Sequence, residues 1–217
     1  MEYVITEVSI TQYTSCDITS SLSRHCFESD ETIFEEGFPA PKLYHLIYGS
    51  VKIYKLQKNG KVSLIEILNA PALLGELELL GIRNETLNII ALTPCTCEVV
   101  TAESCQSLLL KDPVFLRFLC SYLGQKSVSH ADRCVIRTAY PLSIRLASFI
   151  LLTQHNSIYC EKHTEVSEYL GVTYRHLLYV LADFVKKGFL KKTPQGYKIT
   201  DMNALQKLSS QNENQPL

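Results

Sequence analysis

The sequence lacks the features that would take a chain out of the cytoplasm. No window approaches the roughly 20 consecutive apolar residues that a membrane-spanning helix requires. The N-terminus has no basic stretch followed by an apolar run of the kind that directs export. The eight cysteines therefore do not indicate the disulfide framework of a small secreted protein. We expect a cytoplasmic protein with no membrane partner, whose cysteines are mostly reduced.

Recognisable catalytic motifs are also absent. The chain has no glycine-rich phosphate loop, no nucleophile elbow and no helical pair of metal-binding histidines. Its serine, histidine and aspartate residues are scattered, as chance would scatter them in a chain of 217 residues. A net charge of −1 argues against a generally basic protein, so any nucleic-acid binding would come from a local patch. The sequence predicts a protein that is not an enzyme.

The strongest pattern lies between Thr164 and Lys192, where two short amphipathic helices are predicted around a tight turn at Gly171. Thr173 is the expected N-cap of the second helix. Its core face is expected to consist of four apolar residues at helical spacing, namely Leu177, Val180, Leu181 and Phe184. The opposite, exposed face then carries Tyr174, Arg175, Leu178, Tyr179 and Ala182. This arrangement is typical of a helix-turn-helix.

Basic residues concentrate around this pattern. Between Glu161 and Lys198, seven Lys and Arg residues stand against four acids, a net charge of +3 that leaves −4 for the rest of the chain. After the second helix, two β-prone runs, Phe189-Leu190 and Tyr197–Ile199, flank residues 191–196 and predict a short hairpin with a Pro/Gly turn, which makes the unit a winged helix. A local basic patch of this kind favours binding to the DNA backbone. Docking of a protein partner on the same unit is the alternative that the pattern leaves open.

The region from Leu22 to Val100 consists of short β-branched and aromatic runs separated by turn signals. The clearest turn signal is Asn59-Gly60, a dipeptide typical of hairpins. The runs predict strands at Thr32–Phe34, Leu43–Tyr48, Val51–Leu56, Val62–Leu68, Leu87–Ala91 and Cys97–Val100. We expect an antiparallel β-roll or small barrel, preceded by a helical or loose lead-in over residues 1–21.

A long helix is predicted from Pro113 to about Arg137, with Asp112 as its N-cap. Its first half carries an apolar seam, expected to pack on a partner helix or on the chain's own β-roll, and made of Leu116, Leu119 or Cys120, and Leu123. Helix-turn-helix proteins usually work as two-fold dimers, which favours the partner helix. We therefore predict an α+β protein with a β-roll sensor domain (residues 1–111), a dimerisation helix (112–139) and a winged helix-turn-helix domain (140–217).

The order of these parts resembles the Crp/Fnr superfamily of bacterial transcription regulators, over roughly residues 22–209. Four stretches carry the resemblance: LIYGSVKIYKLQKNGKVSLIEIL in the β-roll, LLGELELL after it, LLKDP before the long helix, and YLGVTYRHLLYVLADFVKKGFL in the winged helix. The resemblance implies a homodimer that binds a palindromic double-stranded DNA operator and meets RNA polymerase. It also implies that the β-roll senses a signal and passes it through the paired long helices. Activation and repression are both left open.

The predicted effector site departs from the members of that family that bind cyclic AMP. Gly75 and Glu76 match the glycine–glutamate pair before the phosphate-binding segment, but the arginine position falls on Leu87 and its neighbour on Asn88. Leucine cannot supply the positive charge and directed donors that a phosphate requires. His130 aligns with a position that faces the ligand in those members. A histidine there would sense protons or hold an anion. The alternative is a partly buried histidine in the dimer interface. We expect a signal other than cyclic AMP.

The cysteines leave two further sensing hypotheses open. Fnr-like members hold an iron–sulfur cluster with closely spaced N-terminal cysteines, a pattern that Cys16 and Cys26 do not meet, so thiolates from separate segments would have to converge. The other hypothesis is a thiol switch, with Cys16, Cys26, Cys120 and Cys134 as its candidates. Cys120 and Cys134 belong to the long helix, where oxidation would add bulk or link two subunits. No other cofactor is predicted.

The DNA contacts are expected on the second helix of the pair, at the helix starts and on the wing. In Fnr-like and cyclic-AMP-responsive members an acidic residue, followed four positions later by arginine, reads the central bases; here those positions hold Arg175 and Tyr179. Arg175 suits a bidentate contact with guanine, so the operator is expected to differ from the familiar ones. The predicted set is Thr173, Tyr174, Arg175, Leu178 and Tyr179, together with His163, Thr164, His176, Lys191 and Lys192, which are assigned to phosphates.

Overall fold

The computed structural model describes residues 8–37 and 42–210, without the side chains of residues 133, 134 and 136–138. The chain forms two compact units, Met1–Lys126 and Ser127–Leu217. The predicted α+β fold class is confirmed, whereas the domain limits after residues 111 and 139 stay a prediction. In the part of the chain that the structure describes, no helix combines the length and the apolar content required to cross a bilayer.

Two antiparallel four-stranded sheets build the first unit as a β-roll. Its strands are β1 (Leu22–Phe27), β2 (Thr32–Phe34), β3 (Lys42–Tyr48), β4 (Ser50–Leu56), β5 (Val62–Asn69), β6 (Ala72–Leu74), β7 (Asn88–Ala91) and β8 (Cys95–Thr101). One sheet has the order β1-β8-β3-β6 and the other the order β2-β7-β4-β5. The six predicted strands are present within two residues at each end. The prediction missed β1, which is largely polar, and β6, which has only three residues.

Alternating side chains of β3 belong to two different cores. Leu46 lies between the two sheets, where it belongs to one apolar cluster with Val51 of β4 and Ile89 of β7. Leu43 points to the other side of its sheet, into a second cluster that contains Phe115. Because both faces of this sheet are covered, five consecutive residues of β3 are buried instead of every second one.

The hairpin predicted at Asn59-Gly60 is confirmed. The strands β4 and β5 pair in antiparallel register up to Leu56 and Val62. The turn is closed by a hydrogen bond of 2.7 Å from the Gln57 N–H to the Lys61 carbonyl. Gly60 adopts a φ of +78°, a backbone conformation that glycine enters without steric cost.

The N-terminal lead-in is docked on the β-roll. Its described part has short 3-10 helices at Ile10–Tyr13 and Thr19–Ser21. The side chains of Ile10 and Ile18 are fully buried in the second apolar cluster. The buried Glu98 carboxylate also accepts a hydrogen bond of 2.8 Å from the Ile10 N–H. The residues joined by this hydrogen bond, Ile10 and Glu98, are 88 positions apart in the sequence. No local pattern therefore predicts the contact.

Three helices follow strands in the first unit: α1 (Glu76–Leu79), α2 (Ala102–Ser107) and the long α3 (Pro113–Ala139), which continues into the second unit. The start of α3 is as predicted, since the Asp112 carboxylate accepts the Val114 N–H at 3.0 Å. Of the predicted seam, Leu119 and Leu123 pack into the cluster beneath the sheet. For these two residues the partner is therefore the β-roll of their own chain.

The second unit is a three-stranded sheet with helices. Its elements are α4 (Leu142–Thr153), β9 (Ile158–Tyr159), α5 (His163–Tyr169), α6 (Tyr174–Lys186), β10 (Leu190–Thr193), β11 (Gly196–Ile199) and α7 (Met202–Ser209). The strand order is β10-β11-β9. Each of these helices contributes at least one fully buried side chain. The buried side chains are Leu146 and Ile150 of α4, Val166 of α5, Leu177, Leu181 and Phe184 of α6, and Leu205 of α7.

Candidate nucleic-acid interface

The predicted helix-turn-helix consists of α5, a turn and α6. Gly171 adopts a φ of +65° at the end of α5, and the Val172 N–H donates to the Ser167 carbonyl at 2.9 Å, which closes the helix. The Thr173 hydroxyl then accepts the His176 N–H at 3.2 Å and caps the start of α6, as predicted. Two local hydrogen-bonding motifs therefore set the turn between the helices.

The two faces of α6 are divided as the sequence predicted. Leu177, Leu181 and Phe184 are fully buried and hold the helix on the core. On the other side, Tyr179 has 74% of its surface exposed and Tyr174 has 48%. Arg175, His176 and Ala182 are also exposed, and Leu178 is half-buried. An aromatic and basic face is therefore presented to solvent.

The predicted wing is the hairpin β10–β11. In its register Lys191 lies opposite Lys198, and Lys192 lies opposite Tyr197. All three lysines are exposed. A side chain at Gly196 would place its Cβ 2.3 Å from the Tyr159 carbonyl oxygen, and the residue has a φ of +137°. Glycine at this position is what lets β11 lie against β9.

A cleft of about 530 Å³ lies between the start of α6 and the wing. The His163 ring is part of its lining, with its centroid 5.7 Å from that of Tyr197 and 6.5 Å from that of Tyr174. Lys192 of the wing and Leu178 of α6 complete the walls. Burial lowers the pKa of His163, and the Lys192 ammonium lowers it further. The cleft therefore combines an ammonium, an imidazole that is neutral at pH 7, and tyrosine side chains.

The structure brings only part of the predicted DNA-contacting set into this cleft. His163, Tyr174, Leu178 and Lys192 line it. The remaining predicted positions lie outside its lining and are exposed: Thr164 on α5, Thr173 at the cap, Arg175, His176 and Tyr179 on α6, and Lys191 on the wing. Tyr197 and Lys162 also line the cleft and were not predicted. The hairpin register sets Tyr197 opposite Lys192, and this pairing is the signal from which the position of Tyr197 at the cleft could have been predicted.

The residues predicted for an effector site are separated. Gly75, Glu76 and Leu87 line a cleft of about 40 Å³ in the β-roll. Asn88 lies outside that lining, and its side-chain amide donates to the Glu36 carboxylate at 2.9 Å. His130 is exposed on the part of α3 that belongs to the second unit. Three of the five residues therefore share a site.

A lysine from α3 occupies the β-roll cleft. The Lys126 ammonium donates to Glu76 at 2.9 Å and lies 3.9 Å from the Glu66 carboxylate. Each of these two glutamates has only 4% of its surface exposed. Burial works against the charge of Lys126, but the neighbouring Glu76 outweighs it and raises the pKa of the lysine. The counter-ion of these carboxylates is therefore a lysine of the same chain.

The same cleft offers little to a cyclic phosphate. The second cation in its lining, Arg83, lies 3.8 Å from the Glu78 carboxylate. An anion would compete with carboxylates for both cations. Pockets for small ligands usually measure about 300–1,000 Å³, several times the space present here. Leu87, at the position that the sequence predicted for the phosphate-binding arginine, adds an apolar wall.

The candidate redox cysteines lie on separate elements. Cys26 is exposed on β1, Cys120 is exposed on α3 and Cys16 is half-buried in the lead-in, while the Cys134 side chain lies outside the described residues. Burial raises the pKa of Cys97 to about 12, which makes that thiol a poor nucleophile. Within residues 8–37 and 42–210, no three side chains of His, Cys, Asp or Glu come together as metal ligands.

Comparisons with known proteins match both halves of this arrangement. Residues 24–112 match the sequence model of the cyclic nucleotide-binding domain, and residues 144–208 match that of the Crp-like helix-turn-helix domain. The regulatory protein YeiL of Escherichia coli O157:H7 is 38% identical over 193 residues, which cover 89% of this chain and 88% of that protein. The chain belongs to the Crp/Fnr superfamily of transcription regulators.

More distant Crp/Fnr proteins agree with this assignment. The CRP-like cAMP-activated global transcriptional regulator of Mycobacterium tuberculosis is 24% identical over 200 residues, covering 87% of this chain and 88% of that protein. The crystal structure of a Crp/Fnr-family regulator from Eubacterium rectale has the same fold, with a TM-score of 0.70 at 16% identity over 88% of this chain and 91% of the other. The Crp/Fnr family is one of transcription regulators.

Proposed function

We propose that this Crp/Fnr regulator binds a palindromic DNA operator as a homodimer in the cytoplasm, where it meets RNA polymerase. The observation that carries the proposal is the exposed Arg175 and Tyr179 on α6, beside a wing that carries Lys191 and Lys192. A two-fold dimer presents two copies of α6 to half-sites about 34 Å apart, one turn of the DNA helix. The operator is therefore expected to be a palindrome.

The side chains of this surface divide by chemistry into base readers and backbone contacts. The planar guanidinium of Arg175 matches the O6 and N7 acceptors of guanine in the major groove. Tyr179 is suited to a thymine methyl or to a phosphate oxygen. The ammonium groups of Lys191 and Lys192 suit phosphates, which position the protein and do not carry sequence information. Specificity is therefore assigned to α6, and salt-dependent affinity to the wing.

The proposed dimer face lies on α3. Leu119 and Leu123 are already used by the β-roll of their own chain, so the dimer needs other apolar residues. Val128 and Val135 have 62% and 57% of their surface exposed. They stand seven positions apart, the heptad spacing of helices that pack side by side. A Val128→Glu variant should sediment as a monomer, and a dimer of unchanged stability would contradict this face.

The proposed signal is something other than cyclic AMP. The support for this is the Lys126 ammonium bound to Glu76 in the β-roll cleft, together with the small volume that remains there. A thiol signal is the second candidate, favoured by the exposed position of Cys120 on the proposed dimerisation helix.

The experiment that tests this function is selection of bound DNA from a random duplex pool by the purified full-length protein, with dithiothreitol and with mild oxidant in parallel. One palindrome enriched under both conditions supports a regulator that does not sense thiols. Enrichment under one condition only supports the thiol signal. An Arg175→Ala variant should lose the selected base at one position, whereas Lys207→Ala on α7 should select the same palindrome as the wild type. No enrichment under either condition would contradict DNA reading by this surface.

A further inference from the structure

We infer that His163 is a proton-linked contact to the DNA backbone, which takes up a proton as a phosphate enters the cleft between α6 and the wing. The affinity for DNA should therefore rise as the pH falls. This inference rests on the proposed DNA binding and adds to it a dependence of that binding on pH. The residue responsible is a histidine at the start of α5, outside the base-reading face of α6.

The geometry of the cleft places a polar anion next to His163. The ring stands between the wing and α6, half-buried and open to the cleft on one side. Behind it, the Tyr159 ring is stacked at a centroid distance of 6.4 Å. The Tyr159 hydroxyl is buried and has no hydrogen-bond partner among the described residues. With Lys192 also in its lining, the cleft offers an ammonium and an imidazole N–H to one bound group.

The charged and titratable groups around His163 come from every element that packs on it. Lys192 faces it from β10, Tyr197 from β11, Tyr159 from β9 and Tyr174 from α6. On its own side of the cleft, Glu161 precedes it, and Lys162 pairs with Glu165 at 3.5 Å. Burial raises the pKa of Tyr159 and of Tyr197, so both phenols stay neutral through the physiological range. Of the residue types that line the cleft, histidine is the one whose ordinary pKa lies near 6.5.

The sign of the effect follows from the two environments of the ring. In the free protein, burial and the Lys192 ammonium lower the pKa of His163, so the imidazole is neutral at pH 7. A phosphate beside the ring favours the protonated form and raises the pKa in the complex. Binding then takes up a proton wherever the pH lies between the two pKa values. Affinity is highest below the pKa of the free protein, falls between the two values, and is lowest above the pKa of the complex.

The test is fluorescence anisotropy of the full-length protein with two fluorescein-labelled duplexes of about 40 base pairs, long enough for two half-sites. One duplex carries the selected palindrome and the other a generic sequence. Titrations run from about pH 5.5 to 8 at constant ionic strength, the range in which histidine changes charge. One linked proton in each subunit changes the dissociation constant by up to about tenfold per pH unit, so a three- to tenfold change per site should weaken the wild-type dimer about ten- to hundredfold across the range.

Three variants separate the proton from the structure of the site. His163→Gln cannot be protonated and should bind with a flat pH profile at the weak level. His163→Arg carries a permanent charge and should bind with a flat profile at the tight level. His155→Gln changes an exposed histidine before β9 that does not line the cleft, and should keep the wild-type slope.

The outcomes distinguish this inference from the function on which it rests. A wild-type slope that persists in both His163→Gln and His163→Arg overturns the inference and leaves DNA binding intact. Absence of binding to either duplex at every pH contradicts the proposed function itself. If His163→Gln does not fold, the imidazole of the wild type is titrated by NMR with and without the duplex. A pKa of His163 that does not rise when DNA is bound would also overturn the inference.

Discussion

Two of the clefts described above have a lysine in their lining, but only one of these lysines is free of a carboxylate at hydrogen-bond distance. In the β-roll, the Lys126 ammonium lies between the buried carboxylates of Glu76 and Glu66, and about 40 Å³ remain. Beside the wing, Lys192 is exposed at the edge of a cleft of about 530 Å³ with His163 in its wall. The difference lies in where the counter-charge comes from. The first lysine is neutralised by its own chain, whereas the second is available to an anion from outside.

This contrast changes what each cation contributes. Removing one member of a buried ion pair leaves an unpaired charge in a medium of low polarity, which costs stability. Removing an exposed lysine costs the fold little, but it removes a phosphate contact and the counterion release that accompanies it. The β-roll lysine is therefore expected to act on folding and the wing lysine on binding. The experiments below test the two expectations separately.

The largest expected effect is that of Lys126→Met on stability. The substitution removes the ammonium that the buried Glu76 carboxylate binds at 2.9 Å, and should lower the free energy of unfolding by about 3 kcal/mol. Urea denaturation followed by circular dichroism measures the change. Adding Glu76→Gln in a double variant should recover much of the loss, while Lys111→Met, which changes an exposed lysine of the same unit, should change little. A single variant as stable as the wild type would show that the ion pair contributes nothing.

The next effect is that of Arg175→Ala on DNA affinity. Loss of a bidentate guanine contact should weaken binding to the selected palindrome by about 1–3 kcal/mol and relax the preference at one base of each half-site. Competition titrations with single-base variants of the palindrome measure both quantities. Uniform weakening on every sequence would assign Arg175 to the backbone instead.

A smaller effect is expected from Lys192→Ala in the wing. Because this ammonium is assigned to a phosphate, its loss should weaken all DNA sequences alike and reduce the slope of log K against log salt by about one for each subunit. Lys207→Ala, an exposed lysine on α7, is the matched control and should leave the slope unchanged. A changed base preference in Lys192→Ala would be incompatible with a pure phosphate contact.

The smallest effect is expected from cyclic AMP. Since Lys126 and Leu87 line a β-roll cleft of only about 40 Å³ and Glu76 already binds the Lys126 ammonium, millimolar cyclic AMP should shift neither the melting temperature nor the affinity for DNA. Differential scanning fluorimetry of the wild type and of Lys126→Met measures the shift. Stabilisation of the wild type by the nucleotide would mean that the ion pair opens to admit it.

Local sequence patterns were sufficient to predict the helix-turn-helix. The cap at Thr173 and the four core residues of α6 depend on spacings of three and four positions, which a helix converts directly into one face. The hairpin at Asn59-Gly60 likewise depends on two neighbouring residues. The long helix began at Pro113 as predicted. Its partner was not predictable, because Leu119 and Leu123 satisfy the same spacing whether they face a second helix or a sheet.

The sequence by itself determined the fold class, the exposed face of α6 and the basic wing, since each depends on residue type and short spacing. Only the tertiary structure decided that Lys126 is the counter-ion of Glu66 and Glu76, which are 60 and 50 positions away, and that His163 shares a cleft with Tyr197 and Lys192. Such pairs form when separate elements pack together. Their distances are set by the packing of the cores and not by any pattern along the chain.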